Sequence, residues 1–553
     1  MAAALLAALI ASAPPTTRFE LLAYEPRADP AAIVVVGSAR FTVLTSRLIR
    51  MEYASSKNQF EDRPTLAFVN RKQPVPKFSW DGTTLKTEAL TLTYKGGPFT
   101  STSLSVQRAA GASSAFDQWT FGQTSASDPG NLRGTVRTLD RIANLTLNCT
   151  ANQNIAHAEH HCAWGVVSRS GWALVNETGV PCLDDNDWWA SSSGQMLRNV
   201  DEHDLYLFAH GHDYAGALAD LTAVGGKIPV LPRRNSGVWF TRWYDYDAQD
   251  VATIVDEFQE RSLPLDVLVL DMNWHTKDDW TGYTFDKSLF PEPEDTLGYL
   301  HERGLSVAAN LHDADGINPW EATHSEVARA LGLPPNVGRI PLSLTNQSYM
   351  YALEDITVKA VEDLGMDFWW LDWQQGETQA NTGQDGRPDG KMNPTIWTAK
   401  ARVTDSLRRC RLGLGCSSKR GVVFARWGGL GQHRYQHGFS GDVQGLTWAN
   451  LAYQAYFSAT ATNVGFGFWS HDIVGNPNDH EMYARWLQLA GYSAVLRMHD
   501  RGGSAGGCMP WPTSDSACWT SRPWNVPRAF SEANAAALRT RARRDARWAS
   551  NHE

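Results

Sequence analysis

Between residues 238 and 499 one pattern recurs eight times: a short apolar run, with polar or charged side chains falling at its end. The sharpest case is Asp367-Phe368-Trp369-Trp370-Leu371-Asp372, followed by Trp373, two amides and Gly376. So continuous an apolar run suits a strand buried on both faces, as in a parallel sheet covered by helices. The other runs are 238–243, 265–271, 305–312, 422–426, 438–442, 464–468 and 494–499. Helical segments at 249–262, 294–303 and 348–364 separate some of them. Strand and helix alternating through the second half of the chain predict a (β/α)8 barrel.

A barrel of this kind carries its chemistry at the C-terminal ends of its strands. Those ends hold Asp271, His312, Asp372, Arg426, Asp442, His471 with Asp472, and Arg497 with His499. One strand-terminal Asp is ordinarily the cap of the next helix. Polar ends on strand after strand, converging on one rim, predict a polar bowl instead.

Upstream the signals change. From about residue 30 to 228, alternating runs such as 40–44 and 90–94 are separated by Gly, Pro, Asn and Asp turns. That spacing predicts an antiparallel sandwich. The expected fold is therefore α/β, an N-terminal β-sandwich (30–228) followed by a (β/α)8 TIM barrel (229–550). The acidic, aromatic loop Asp184-Asp185-Asn186-Asp187-Trp188-Trp189 has two readings: a turn at the sandwich edge, or an arm reaching over a neighbouring active site.

A net charge of −9 argues against a polyanionic partner, so no nucleic acid is expected. Residues 1–13 form a short apolar stretch ending Ala11-Ser12-Ala13, the pattern of a signal peptide, though without Lys or Arg before it. Sequons at Asn144, Asn148, Asn176 and Asn346 agree with secretion or a secretory-pathway lumen. No later run is long enough to span a membrane. Of seven cysteines, Cys410/Cys416 and Cys508/Cys518 are close enough to pair, while Cys149, Cys162 and Cys182 leave one over.

Asp271, His312, His471 and Asp472 could in principle hold a metal. The barrel half has no His-x-His or His-Glu-x-x-His pair that would fix two ligands at once, so no metal is expected. Two or more carboxylates in a bowl of a chain with 23 Trp and 16 Tyr match glycoside hydrolysis, which needs one ionised and one protonated carboxyl.

Here the motifs resemble a known family. Trp370-Leu-Asp372 looks like the nucleophile strand of glycoside hydrolase family 31, the retaining α-glycosidases that include α-glucosidases and α-xylosidases. Phe439-Ser-Gly-Asp442 resembles its acid/base motif, and Arg426 stands sixteen residues ahead of Asp442, as the family's substrate-binding Arg does. Asp271-Met-Asn-Trp274-His275, His471-Asp472 and Arg497-Met-His499 complete the similarity, which runs from about residue 205 to 509. The resemblance implies Asp372 as nucleophile and Asp442 as acid/base. It implies Asp271, Trp274, His312, Trp370, Arg426, Phe439, His471, Asp472 and His499 around an oligosaccharide or α-glycoside, with no cofactor. An α-glucosidase-like hydrolase is expected. The alternatives are a transglycosylase, α-xylosidase or α-galactoside-type specificity on the same site, and an inactive sugar-binding relative. Trp373-Gln374-Gln375 stands where the family commonly has Met-Asn-Glu, and Phe439 stands for the usual Trp, so the resemblance leaves the sugar open. Family members continue into further β-domains, so an uncovered apolar face is expected at 529–550, with marginal solubility or oligomerisation through it.

Overall fold

The computed structural model describes residues 24–55, 60–136, 147, 162–276, 279–372, 394–412, 420–435, 437–442, 447–473 and 480–501. The expectations for 1–13 and 529–550, and for residues 373–375, fall outside them.

Ten short strands make two antiparallel sheets: β1 (Ile33–Val36), β2 (Ala39–Val43), β3 (Leu48–Tyr53), β4 (Phe78–Trp80), β5 (Thr84–Thr87), β6 (Leu90–Tyr94), β7 (Leu104–Arg108), β8 (Gln118–Thr120), β9 (Ala173–Asn176) and β10 (His203–Phe208). One sheet runs β1-β2-β3-β10-β9 and the other β4 to β8 in chain order. Side chains alternate across a strand, and that period sorts the residues. Met51 pairs with Leu205 and Ile49 with Leu207, and all four join Leu85, Leu92, Val106 and Trp119 between the sheets. Leu48, Tyr206 and Phe208 point the other way, onto Ala217, Leu221 and Val224 of helix α1 (Tyr214–Gly225).

The barrel strands are β11 (Val238–Trp243), β12 (Val267–Leu270), β13 (Ser306–Leu311), β14 (Phe368–Leu371), β15 (Val423–Ala425), β16 (Gly438–Phe439), β17 (Trp469–Ser470) and β18 (Leu496–Arg501). They pair in parallel in sequence order, and β18 returns to β11. A single parallel bridge, Ile473 to Met498, joins the β17 side to β18 and closes the ring. Inside lie Trp239, Val267, Ala308, Trp370, Phe424 and Phe439, while a larger apolar shell fills the space between strands and helices.

Two expected elements move. The seventh strand is Trp469–Ser470 rather than 464–468: Thr462–Val464 is still helical, and Gly465 turns the chain at φ +77° before it can extend. The helix expected at 348–364 is helix Gln347–Ala352, a π-helical stretch Leu353–Val358 and helix Lys359–Asp363. The 184–189 loop is no edge turn. Trp189 stacks on Trp397 at 4.9 Å and its indole donates to Leu344 O (2.8 Å), while Asp187 pairs with buried Lys400. It packs on the barrel, against the helix Thr395–Leu412 that follows the Asp372 strand. Cys162 and Cys410 each belong to a disulfide and Cys182 is free and buried, while Cys149, Cys416, Cys508 and Cys518 lie outside the described residues.

Candidate active site

Parity along each strand decides which polar residues meet. On β14, Trp369 turns outward, its indole donating to Glu362, whereas Trp370 turns inward against Phe424 and Phe439. Asp372 shares Trp370's inward phase and stands one step beyond the strand. On β13, Asn310 and His312 share one phase in the same way. Asn310 Nδ2 donates to Asp271 Oδ1 (2.6 Å) and to Asp372 Oδ2 (3.1 Å), so one amide spans two carboxylates. Asp271 also accepts from Met272 N (2.8 Å) as it caps a short 3₁₀ turn.

Arg426 follows β15 and sets the centre of the site. Its Nε (2.9 Å) and Nη2 (2.7 Å) both fall on Asp372 Oδ1, and the same Nη2 lies 3.5 Å from Asp442 Oδ1. Two oxygens within reach of one nitrogen are no more than about 6 Å apart, the separation of a retaining pair rather than the wider gap of an inverting one. Phe439 lies beneath the guanidinium, its ring 4.6 Å from the Arg426 carbon.

The two acids on Asn310 are driven in opposite directions. Burial works to raise the Asp372 pKa, but the charges of Arg426 and His312 and the bonds from Arg426 and Asn310 outweigh it, holding the carboxyl below its usual range. Asp271 is pushed up to about 7 by burial first and then by the neighbouring Asp372 charge. The pair thus keeps its charge on Asp372, the carboxyl that Arg426 faces.

The remaining wall comes from β17 and β18. Arg497 pairs with Asp472 Oδ1, donates to Ser470 Oγ (3.0 Å), and lies 5.0 Å from the rings of Trp370, Phe424 and Phe439. His499 stands perpendicular to Trp370 at 5.5 Å, with Nδ1 3.9 Å from Asp271 Oδ2 and Nε2 4.0 Å from Asp472 Oδ2. His312 Nε2 is 3.8 Å from Asp372 Oδ2, and the half-exposed Trp280 meets the His312 ring edge-on at 5.3 Å.

Nine of the eleven expected residues therefore converge. His471 does not: it turns out of the barrel, its Nε2 2.6 Å from Ser458 Oγ, among Phe457 and Trp469. Ser470 and Asp472 take the inward positions on either side, and strand parity excludes the residue between them. Trp274 also lies on the helix side, packed on Phe285 and Trp369, with its indole donating to Asn310 O (2.9 Å). It supports the strand that carries Asn310. Arg497 was expected at the rim but given no role, and Asn310 was not expected at all; it could have been found by counting two positions back from His312.

The model of the glycosyl hydrolases family 31 TIM-barrel domain matches residues 228–543. An α-xylosidase of Saccharolobus solfataricus is 26% identical over 349 residues, 59% of this chain and 43% of that protein. Alpha-glucosidase 2 of Bacillus thermoamyloliquefaciens is 23% identical over 322 residues, 54% of this chain and 40% of its own length. The chain spans less than half the length of these curated relatives. In fold it is similar to a GH31 α-xylosidase from a soil metagenome, with TM-score 0.64, 16% identity and coverage of 93% and 84% of the two chains. It is likewise similar to a Flavobacterium johnsoniae GH31 dextranase, with TM-score 0.63, 15% identity and coverage of 94% and 69%. The family match covers more than half of the chain, including every residue of the carboxylate cup, and the protein belongs to glycosyl hydrolases family 31.

Proposed function

We propose that the chain hydrolyses terminal α-linked glycosides with retention at the anomeric carbon. The observation that carries this reading is the single Arg426 nitrogen in reach of both Asp372 and Asp442. It brings the two carboxyls to retaining distance and keeps one of them ionised.

In the first step an Asp372 oxygen attacks the anomeric carbon, forming the glycosyl ester as the bond to the leaving oxygen breaks. Asp442 delivers a proton to that oxygen, so the leaving group departs as a neutral alcohol. Asp442, now ionised, takes a proton from water. The hydroxide so formed attacks the same carbon and releases Asp372. Asp271, His312, Asp472 and His499 are the groups offered to the sugar hydroxyls, and Trp370 floors the pocket. Relatives named α-xylosidase and α-glucosidase support xylose or glucose as the bound sugar. The disulfides at Cys162 and Cys410 favour an oxidising compartment, in line with secretion.

The test is a panel of p-nitrophenyl α-xyloside, α-glucoside and α-galactoside, with the first-formed anomer read by proton NMR. Release of the α-anomer supports the reading. A β-anomer, or no turnover of any α-glycoside, overturns it.

A further inference from the structure

Asn310 is uncharged, yet it touches two of the acids in the cup. Register puts it there. Asn310 of β13 lies opposite Trp370 of β14, and its neighbour Ala309 lies opposite Leu270 of β12. Asp271 and Asp372 each stand one step beyond those flanking strands, so the strand between them brings one amide to both. The residue is buried, and its backbone carbonyl accepts from the Trp274 indole at 2.9 Å. Its Nδ2 lies 2.6 Å from Asp271 Oδ1 and 3.1 Å from Asp372 Oδ2. An amide nitrogen has two hydrogens, one for each of these oxygens. Turned over, the amide would set its own oxygen against two carboxylate oxygens, so the acids fix its orientation.

Asp372 divides its two oxygens between different donors. Arg426 places both Nε (2.9 Å) and Nη2 (2.7 Å) on Oδ1. Among the described residues, Oδ2 meets the Asn310 amide at 3.1 Å and His312 Nε2 only at 3.8 Å. A carboxylate gripped at one oxygen can still turn its plane about that grip. A second donor at the other oxygen sets the plane, and the Asn310 amide is within hydrogen-bond range whereas His312 is not.

We propose that Asn310 is the positioning residue of the nucleophile: its amide sets the plane of the Asp372 carboxylate so that Oδ2 is the oxygen that attacks the anomeric carbon. This deepens the function proposed above and rests on it. As the bond from Oδ2 to that carbon forms, the bond to the leaving oxygen breaks with its electron pair, and the leaving oxygen takes the Asp442 proton. Oδ1 becomes the carbonyl oxygen of the ester, still under both Arg426 nitrogens. Water then restores the carboxylate. The charged groups around Asp372 are Asp271 from β12, His312 from β13 and Arg426 from β15, with Asp442 on the far side of Arg426. Burial raises the Asp372 pKa, and the Asn310 bond joins the Arg426 and His312 charges in holding it low.

The experiment uses Asn310→Leu, which puts two methyl groups on the same branch, and Asn310→Asp, which keeps the outline and exchanges both donors for a carboxylate. Each is assayed on two substrates with the same terminal sugar, an α-glycosyl fluoride and the matching α-linked disaccharide. In the leucine variant kcat/KM should fall about 10²-fold and by the same factor on both, because the attacking oxygen is misplaced and the leaving group is not. The acidic limb of kcat/KM should move to higher pH, since Asp372 loses a bond that favours its charged form. The aspartate variant should lose at least as much at neutral pH. A wild-type rate in either variant, a loss confined to the disaccharide, or an unmoved limb overturns the assignment. Crystal structures of the wild type and the leucine variant are the second arm. The Asp372 carboxylate should be turned in the variant, with Oδ1 still on Arg426. An unturned carboxylate refutes the proposal even if neither substrate is hydrolysed by the wild type, an outcome that would count against the hydrolase reading alone.

Discussion

Two of the buried clusters of carboxylates and arginines among the described residues, one in the sandwich and one at the barrel mouth, use the same groups differently. In the sandwich, Asp204 lies directly across from Glu52, and Glu52 directly across from Arg40, so three charges line up across neighbouring strands. Arg40 places Nε (2.7 Å) and Nη2 (2.6 Å) on the two oxygens of Glu52, and Arg50 does the same to Asp204 at 2.8 and 2.7 Å. These forks use both oxygens of each acid. In the barrel, Arg426 puts both nitrogens on one oxygen of Asp372. Both kinds of fork favour the ionised acid, but the two-oxygen forks occupy both oxygens of Glu52 and Asp204, whereas the one-oxygen fork leaves Asp372 Oδ2 to the longer, 3.1 Å bond from Asn310. Shifted acids alone do not tell the clusters apart, since Asp201 in the sandwich is pushed up to about 8 and Asp271 in the barrel to about 7. Position does: the first cluster lies within strands, the second at their C-terminal ends.

Swapping isosteres into the two clusters should give opposite failures. Asp372→Asn is expected to lower kcat by about 10³-fold or more on every α-glycoside, because the covalent intermediate cannot form, while Arg426 keeps Asp442 in reach and the barrel still folds. Asp204→Asn takes the two-oxygen fork from buried Arg50, which keeps Glu52 at 3.0 Å, and should cost about 3 kcal/mol, while the molecules that fold keep their kcat. Denaturant melts and active-site titration of the same preparations separate the outcomes. A stable, inactive Asp204 variant would erase the distinction.

Arg426 sharpens the comparison next. Arg426→Lys keeps the charge but loses the paired N–H geometry, and should reduce kcat by about 10²-fold. The pH profile carries the sign. The guanidinium holds Asp372 low, so weakening it raises the Asp372 pKa and moves the acidic limb of kcat/KM to higher pH. An unmoved limb would detach Arg426 from the titration of Asp372.

The barrel and most of the cup were legible because a parallel barrel converts strand order and parity into position. Asp271, Asp372, Arg426, Asp442 and His499 needed only the ends of apolar runs. Parity was not applied to neighbours, so His471 was taken with Asp472 and Asn310 was passed over. The sandwich cluster left no local signature: Arg40, Glu52 and Asp204 meet through a register spanning some 160 residues of chain. The stacking of Trp189, backed by Trp188, on Trp397 could be no more than one of two readings of the 184–189 loop, because a tertiary contact has no period to read.

The two halves of the chain are not independent, since the N-terminal half holds the support of Arg426. Arg434, 1% exposed, donates to Leu66 O (2.7 Å) and to Gly225 O, and His433 Nε2 lies 2.8 Å from Gly226 O. One residue earlier, Gln432 Nε2 donates to Arg426 O (2.6 Å). Arg434→Met should therefore loosen Arg426 through the 3₁₀ turn Gln432–Arg434. About a tenfold loss in kcat with KM nearly constant is expected, together with a lower Tm from unsatisfied carbonyls. A change confined to Tm would make the clamp purely structural.

The smallest effect concerns pH and stability. An acid whose folded pKa is raised favours the folded state most when protonated. Its contribution is whole below the unfolded value, near 4, and is lost as pH rises through the folded value. For Asp271 that loss is complete by about 7 and for Asp201 by about 8, with Glu354, also near 7, acting alongside. Asp372, Asp204 and Glu61 are held low, so their contributions fail only on the acid side of the same window. Stability should therefore decline between pH 4 and 8, and Asp201→Asn, which mimics the protonated acid, should flatten part of that decline without touching kcat. Asp271→Asn should flatten another part and also weaken substrate binding, because its carboxyl belongs to the cup. Tm measured across this range for both variants tests the contrast, and an Asp201 variant as steep as the wild type would remove that carboxyl from the account.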